Sequence, residues 1–125
     1  MLDHVGITVS DYETSKQFYI KAFEAIGYKL LMEVQGCAGF GIDSDQGPLA
    51  TFWIHQGEPA TDMMHIAFRT DDRSKVDAFY DAAMAAGGKD HGKPGVREIY
   101  HPNYYGAFVL DPDGYNVEAV CHKPE

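Results

Sequence analysis

Three side chains invite a chemical reading before any fold is considered. His4 opens the segment HVGITVSD, His65 opens HIAFRTDD, and Glu118 stands inside the apolar run Asn116-Val117-Glu118-Ala119-Val120. Two imidazoles and one carboxylate are donors for a divalent metal, and a facial set of three leaves adjacent positions open for a bidentate oxygen ligand. A metal held in this way acts as a Lewis acid on the oxygens it chelates. These donor types accept Fe, Mn, Co, Ni or Zn, because affinity order alone does not decide occupancy in a cell. A single strand histidine is ordinarily a packing or surface residue. A carboxylate in an apolar strand is costly to bury without a cation, and its ordinary alternative is an exposed sheet edge.

The histidines gain weight from an internal repeat. Shifting the chain by 61 residues matches His4 with His65, Asp11 with Asp72, Phe18 with Phe79, Tyr19 with Tyr80, Ala22 with Ala83, Ala25 with Ala86 and Gly27 with Gly88, in one ungapped register. Each half begins with a strand pattern of β-branched and aromatic residues. In the first half Ser10-Asp11-Tyr12-Glu13 has the form of a capping box, and Phe18, Ala22, Phe23 and Ile26 follow at helical spacing before Gly27. In the second, Val76, Phe79, Tyr80, Ala83 and Met84 form the stripe that Gly87-Gly88 ends. Strands are expected at 28–34, 39–42 and 49–55, and again at 96–100, 106–110 and 116–122, with Asp43 to Gly47 and Asp111-Pro112-Asp113-Gly114 as turns.

The chain therefore predicts an α+β fold of two βαβββ modules, about residues 1–55 and 62–125, joined by a linker at 56–61. One apolar sheet face per module cannot be buried alone, so the modules should form an open, eight-stranded, barrel-like sheet around a shared concavity. Equivalent strand positions then bring His4 and His65 toward each other. Side-chain alternation puts Glu118 on one face with Val120 and His122, free to point inward with the histidines.

Composition narrows the partners. With 10 Lys and Arg against 19 Asp and Glu the net charge is −9, which disfavours nucleic acid and anionic membrane surfaces. No apolar stretch reaches the roughly 18 residues of a membrane span, and the start lacks a basic, then apolar, leader. The expectation is a cytoplasmic protein acting on a small molecule. Cys37 and Cys121 suggest separate reduced thiols rather than a disulfide framework.

The paired modules, the histidine opening each, and the run D-P-D-G-Y-N-V-E ending at Glu118 resemble the vicinal oxygen chelate superfamily of glyoxalases, bleomycin resistance proteins and extradiol dioxygenases. The resemblance spans nearly the whole chain. It implies a divalent metal held by His4, His65 and Glu118, and a homodimer that completes its barrels between chains. Glyoxalase I, a lactoylglutathione lyase, adds a fourth ligand, a glutamate on the last strand of the first module. Here the aligned residue is Ala50 or Thr51, with His55 and Trp53 nearby. The segment from His101 to Glu118 is similar to the extradiol dioxygenase signature, with Phe108 at its tyrosine position. The fosfomycin-modifying branch carries a threonine where this chain has Gly6.

His101 and Tyr104 are the candidate catalytic groups, with Tyr105 beside them: an imidazole titrates near neutrality, and a phenol can steer an oxyanion. His91 and His122 read as solvated, and Arg97 and Lys93 as surface charge. The functional expectation is a metal-dependent enzyme, glyoxalase-like or extradiol-dioxygenase-like, acting on a metabolite with vicinal oxygens through an anionic intermediate such as an enediolate or catecholate. The alternative is a module of the bleomycin-resistance kind that sequesters a ligand without catalysis.

Overall fold

The repeat becomes two four-stranded sheets, each backed by one helix. The computed structural model describes residues 1–125. In chain order its elements are β1 (Val5–Val9), α1 (Tyr12–Glu24), β2 (Lys29–Val34), β3 (Cys37–Ser44), β4 (Gly47–Gln56), β5 (His65–Thr70), α2 (Arg73–Ala85), β6 (Lys89–Val96), β7 (Tyr105–Leu110) and β8 (Asn116–Cys121). The sheet orders are β1-β4-β3-β2 and β5-β8-β7-β6, so the two modules share one topology. The outer pairs β1–β4 and β5–β8 are parallel, and the remaining pairs are antiparallel. The two βαβββ modules stand as expected, and their sheets do not close on one another.

Each helix begins where the repeat places it. Asp11 caps α1 by accepting from the Thr14 amide at 3.1 Å, one residue after the expected box, while the Ser10 amide donates to Asp113. Asp72 caps α2 by accepting from the Ser74 amide at 2.8 Å. The buried positions of α1, Ser15, Phe18, Tyr19, Ala22 and Phe23, form one stripe at helical spacing. In α2 the stripe is Val76, Phe79 and Ala83. Gly27 and Gly87 end the helices at φ of 80° and 99°, a region that favours glycine.

These stripes meet the sheet residues Ile7, Val9, Phe40, Phe52, Ile54, Val109, Val117 and Ala119 in a single core. Phe23 and Phe68 bring their ring centroids within 4.7 Å across the module boundary, and Phe52 and Phe68 within 5.4 Å. Full burial of such a side chain contributes about 1.5–3 kcal/mol, so this seam is a substantial part of what joins the halves. The D-P-D-G turn adds a polar tie. Asp111, 4% exposed, accepts from the Tyr19 hydroxyl at 2.5 Å and from the Asp113 and Tyr115 amides at 2.9 Å. The Tyr115 hydroxyl in turn donates to the Thr8 carbonyl at 2.6 Å.

One strand lies elsewhere than the sequence suggests. The expected strand at 96–100 is largely a turn, and the second strand of module 2 is Lys89–Val96. Gly92, Pro94 and Gly95 make that segment read as a loop. It pairs at the sheet edge through two register breaks, where a proline removes no ladder bond from a central strand.

Because both helices cover the inner faces, the outer faces carry no helix. Strand alternation gives the outer face of sheet 1 to Gly6, Thr8, Gly39, Trp53 and His55, and that of sheet 2 to His65, Ala67, Arg69, Asn116, Glu118 and Phe108.

Candidate metal centre

Strand β8 lies between β5 and β7, and all six of its residues are buried. Glu118 at its centre has no exposed surface. One carboxylate oxygen, Oε2, lies 2.8 Å from His65 Nε2, and the other, Oε1, accepts the Tyr104 hydroxyl. Phe108 is its cross-strand neighbour, and the Phe108 and His65 rings lie 5.9 Å apart. Gly106 makes room for this arrangement. A Cβ there would stand 3.0 Å from Oε1 and 3.2 Å from Tyr104 Cε1, so a side chain would press the two apart. The carboxylate has no lysine or arginine partner; its one charge-capable neighbour is His65. Burial, and then the bond to Glu118, push the Tyr104 phenol well above its ordinary range, which keeps it a donor.

His4 sits apart from this pair. It precedes β1 on the other sheet, is exposed, and pairs through Nδ1 with Asp3 at 2.6 Å. It borders a recess on sheet 1 lined by Met32, Leu49, Thr51 and Trp53. Within one chain no three His, Cys, Asp or Glu side chains gather in a way that could hold a metal ion. The structure joins His65, Glu118 and Tyr104 and leaves His4 separate.

His101 lies in the turn before β7, exposed, its Nδ1 accepting the Asn103 amide at 3.0 Å, which leaves Nε2 to carry the proton of the neutral ring. Its ring meets the ring of His122 at 5.9 Å, and His122 meets Tyr104 edge to face at 5.2 Å. His122, expected to be solvated, thus links both catalytic candidates. Its place two residues after Val120 on the Glu118 face was the available signal. Tyr105 turns the other way, its hydroxyl donating to Asp77 of α2 at 2.6 Å, and that bond together with burial pushes the phenol up to about 12. It takes no part in the site. Arg97 lays its guanidinium over Phe108, 5.5 Å from the ring centre, and lines an open cleft with His65, His91, Tyr100 and Asn116.

The strand register also identifies the counterpart of Glu118 in module 1. Ala67 pairs with Glu118 in sheet 2, and Gly6 pairs with Trp53 in sheet 1. The residue at that place is therefore Trp53, not Ala50 or Thr51. A break in the β3–β4 register at Phe40/Gly41 shifts the alignment beyond what the sequence shows. His55 lies two positions further on, exposed, 3.1 Å from the Thr8 hydroxyl through Nε2.

This duplicated fold, with a histidine leading each module and a glutamate buried on the last strand, defines a class, and comparison with known proteins agrees with it. A profile of the Glyoxalase/Bleomycin resistance protein/Dioxygenase superfamily matches residues 1–119, and the chain belongs to that superfamily. A protein of Vibrio parahaemolyticus named probable lactoylglutathione lyase is 30% identical over 132 aligned positions, which cover 96% of this chain and 89% of the relative. The crystal structure of a glyoxalase/bleomycin resistance protein from Albidiferax ferrireducens superposes with a TM-score of 0.82 at 29% identity, covering 95% of this chain and 97% of that one. A fosfomycin resistance protein from Mesorhizobium loti shares the fold at a TM-score of 0.68 and 20% identity, over 98% and 92% of the two chains. No helix is long and apolar enough to cross a membrane.

Proposed function

We propose that the protein is a divalent-metal-dependent enzyme acting on a small metabolite with vicinal oxygens, and that its metal donors are His65 and Glu118 of one chain and His4 of a second copy. The observation that carries this reading is the fully buried Glu118 carboxylate, 2.8 Å from an imidazole nitrogen and without a lysine or arginine to neutralise it. A buried carboxylate in such surroundings is expensive unless a cation joins it. The donor types fit a metal, and a single chain supplies two of the three. Sheet faces left uncovered by helices favour a homodimer in which sheet 1 of each copy covers sheet 2 of the other, giving two equivalent composite sites.

When bound, the metal would polarise the chelated oxygens as a Lewis acid. The chain's own groups do the rest. Tyr104 fixes the orientation of Glu118 and presents a protonated phenol beside it. His101 offers a titratable ring within the same aromatic cluster, so His101 or Tyr104 supplies the proton-transfer group. Trp53 at the Glu118-equivalent position supplies no carboxylate, which weighs against a proton shuttle through a fourth donor and leaves lyase and dioxygenase chemistry to be separated by oxygen dependence. Two free cysteines suit a reducing cytoplasm. The second reading, a sequestering module without catalysis, is favoured by the indole-lined recess at His4.

Mixing two inactive variants tests the composite site. His4→Ala and Glu118→Ala homodimers should each bind cobalt(II) at least about a hundredfold more weakly than the parent, since even the loss of an outer-shell partner costs 10–100-fold. Co-refolded mixed dimers should regain one intact site, with His4 from one chain and His65 and Glu118 from the other. Failure of the mixture to regain binding would place all donors within one chain or reject the set.

A further inference from the structure

The counterpart of Glu118 in sheet 1 is an indole, and its setting is as specific as that of the carboxylate. Trp53 pairs with Gly6 on one side and Gly39 on the other, while Glu118 pairs with Ala67 and Phe108. Each module thus places one large aromatic ring at this pair of cross-strand positions, but on different strands. In module 1 the six-membered ring of Trp53 lies directly on Gly39. A Cβ there would come within 2.7 Å of Cη2 and 2.8 Å of Cζ3. The indole Nε1 donates to the Ala50 carbonyl at 3.2 Å, so its single polar atom is already engaged. Glycine beneath and a hydrogen bond at the edge hold the ring against β3. What remains available is aromatic surface, bordering the same recess as His4.

We infer that Trp53 is a specificity-determining stacking platform, and that the ligand chelated at the composite site is a planar, conjugated molecule carrying its adjacent oxygens on or next to a ring. The inference rests on His4 being a metal donor, which brings the oxygens of a chelated ligand to the edge of the recess. A flat ring continuing from those oxygens gains offset stacking on an indole already held in place, whereas a saturated chain leaves that surface to water. The indole neither titrates nor donates into the recess, so it contributes selection rather than proton transfer.

Two chelators with the same oxygen pair separate these contributions: benzohydroxamate carries a ring next to it, and acetohydroxamate a methyl group. Trp53 is the one tryptophan of the chain, so its emission reports on its own surface. Cobalt(II)-loaded parent protein should bind benzohydroxamate roughly three- to tenfold more tightly than acetohydroxamate, with quenching of Trp53. Trp53→Ala should erase the preference while leaving cobalt and acetohydroxamate affinity unchanged, and Trp53→Phe should restore part of it. Equal affinities in the parent, or a preference that survives Trp53→Ala, would overturn the platform and leave the metal reading standing. Absence of cobalt binding by the parent would overturn the metal reading and this inference with it.

Discussion

The outer faces of the two sheets share strand order and pairing, yet one carries a carboxylate and the other an indole at the same register position. In sheet 2 the central strand buries Glu118 because Gly106 admits Tyr104, His65 closes one side and Phe108 the other. In sheet 1 the glycine lies under the aromatic ring instead. Duplication supplies the scaffold twice, and a change of residue on each of two neighbouring strands decides whether a face presents a buried carboxylate or an indole. The helices and their aromatic seam tolerate this divergence because they contact the opposite face of each sheet.

The largest expected effect breaks the comparison at its joint, where the modules cease to be separable. Asp111 accepts three hydrogen bonds, one of them from Tyr19 of α1 in the other module. Asp111→Ala should cost about 3 kcal/mol or more, measured by chemical denaturation, because the buried Tyr19 hydroxyl and two amides lose their acceptor. Unfolding of the two modules in separate steps in the variant would show that this tie, rather than the Phe23–Phe68 contact, joins them. The pH dependence has a definite sign. Burial holds the Asp111 carboxyl above its ordinary range, and the bonds it accepts only partly offset this. A raised folded-state value contributes stability that is present at low pH and lost as pH rises through it. The stability of the parent relative to Asp111→Asn should therefore decline as pH rises through and above the ordinary carboxylate range.

How much of this was legible follows from which interactions are local. The repeat and both helices could be read directly, since periodicity is written in neighbouring residues, although the cap of α1 falls on Asp11, one residue after the expected box. His65 and Glu118 could be paired because β5 and β8 are strands of one module. His4 could not be placed by the same logic. Its position just before β1 is equivalent under the repeat to that of His65, but equivalence under a repeat does not say whether two modules of one chain face each other or turn their helices together. The Phe23–Phe68 packing decides that, and it depends on the tertiary seam. β6 was missed because edge strands accept glycine and proline, and the Trp53 register was missed because a bulge has no local sequence mark.

A matched pair of glycine substitutions sharpens the comparison at intermediate cost. Gly106→Ala and Gly39→Ala each insert a methyl group under a packed side chain, and each should destabilise by about 1–3 kcal/mol. Their functional readouts should diverge. Gly106→Ala presses Tyr104 and Glu118 apart and should weaken cobalt(II) affinity. Gly39→Ala lifts the indole and should shift Trp53 emission while metal affinity stays near that of the parent. Equal loss of metal affinity in both would mean that the two faces are not divided between donor and ring.

The smallest effect belongs to His122, one residue beyond β8, where sheet 1 has Gly57 one residue beyond β4. The cluster of His101, His122 and Tyr104 thus has no counterpart in module 1. His122 touches Tyr104 and His101 through ring edges and makes no hydrogen bond to either His65 or Glu118, so its role is to pack the phenol that holds the carboxylate. An edge-to-face aromatic pair contributes about 0.5–1.5 kcal/mol beyond burial. His122→Ala should therefore lower stability by about that amount and leave metal content unchanged, and His122→Phe should recover most of the loss. His101→Phe should behave differently, keeping metal and fold while turnover falls by roughly 10²–10⁴, the range for loss of a general acid or base. Metal content measured by elemental analysis on both variants separates the roles. If His122→Ala lost its metal while His4→Ala kept it, the third donor would be His122 of the same chain, and the composite site between two copies would have no remaining support.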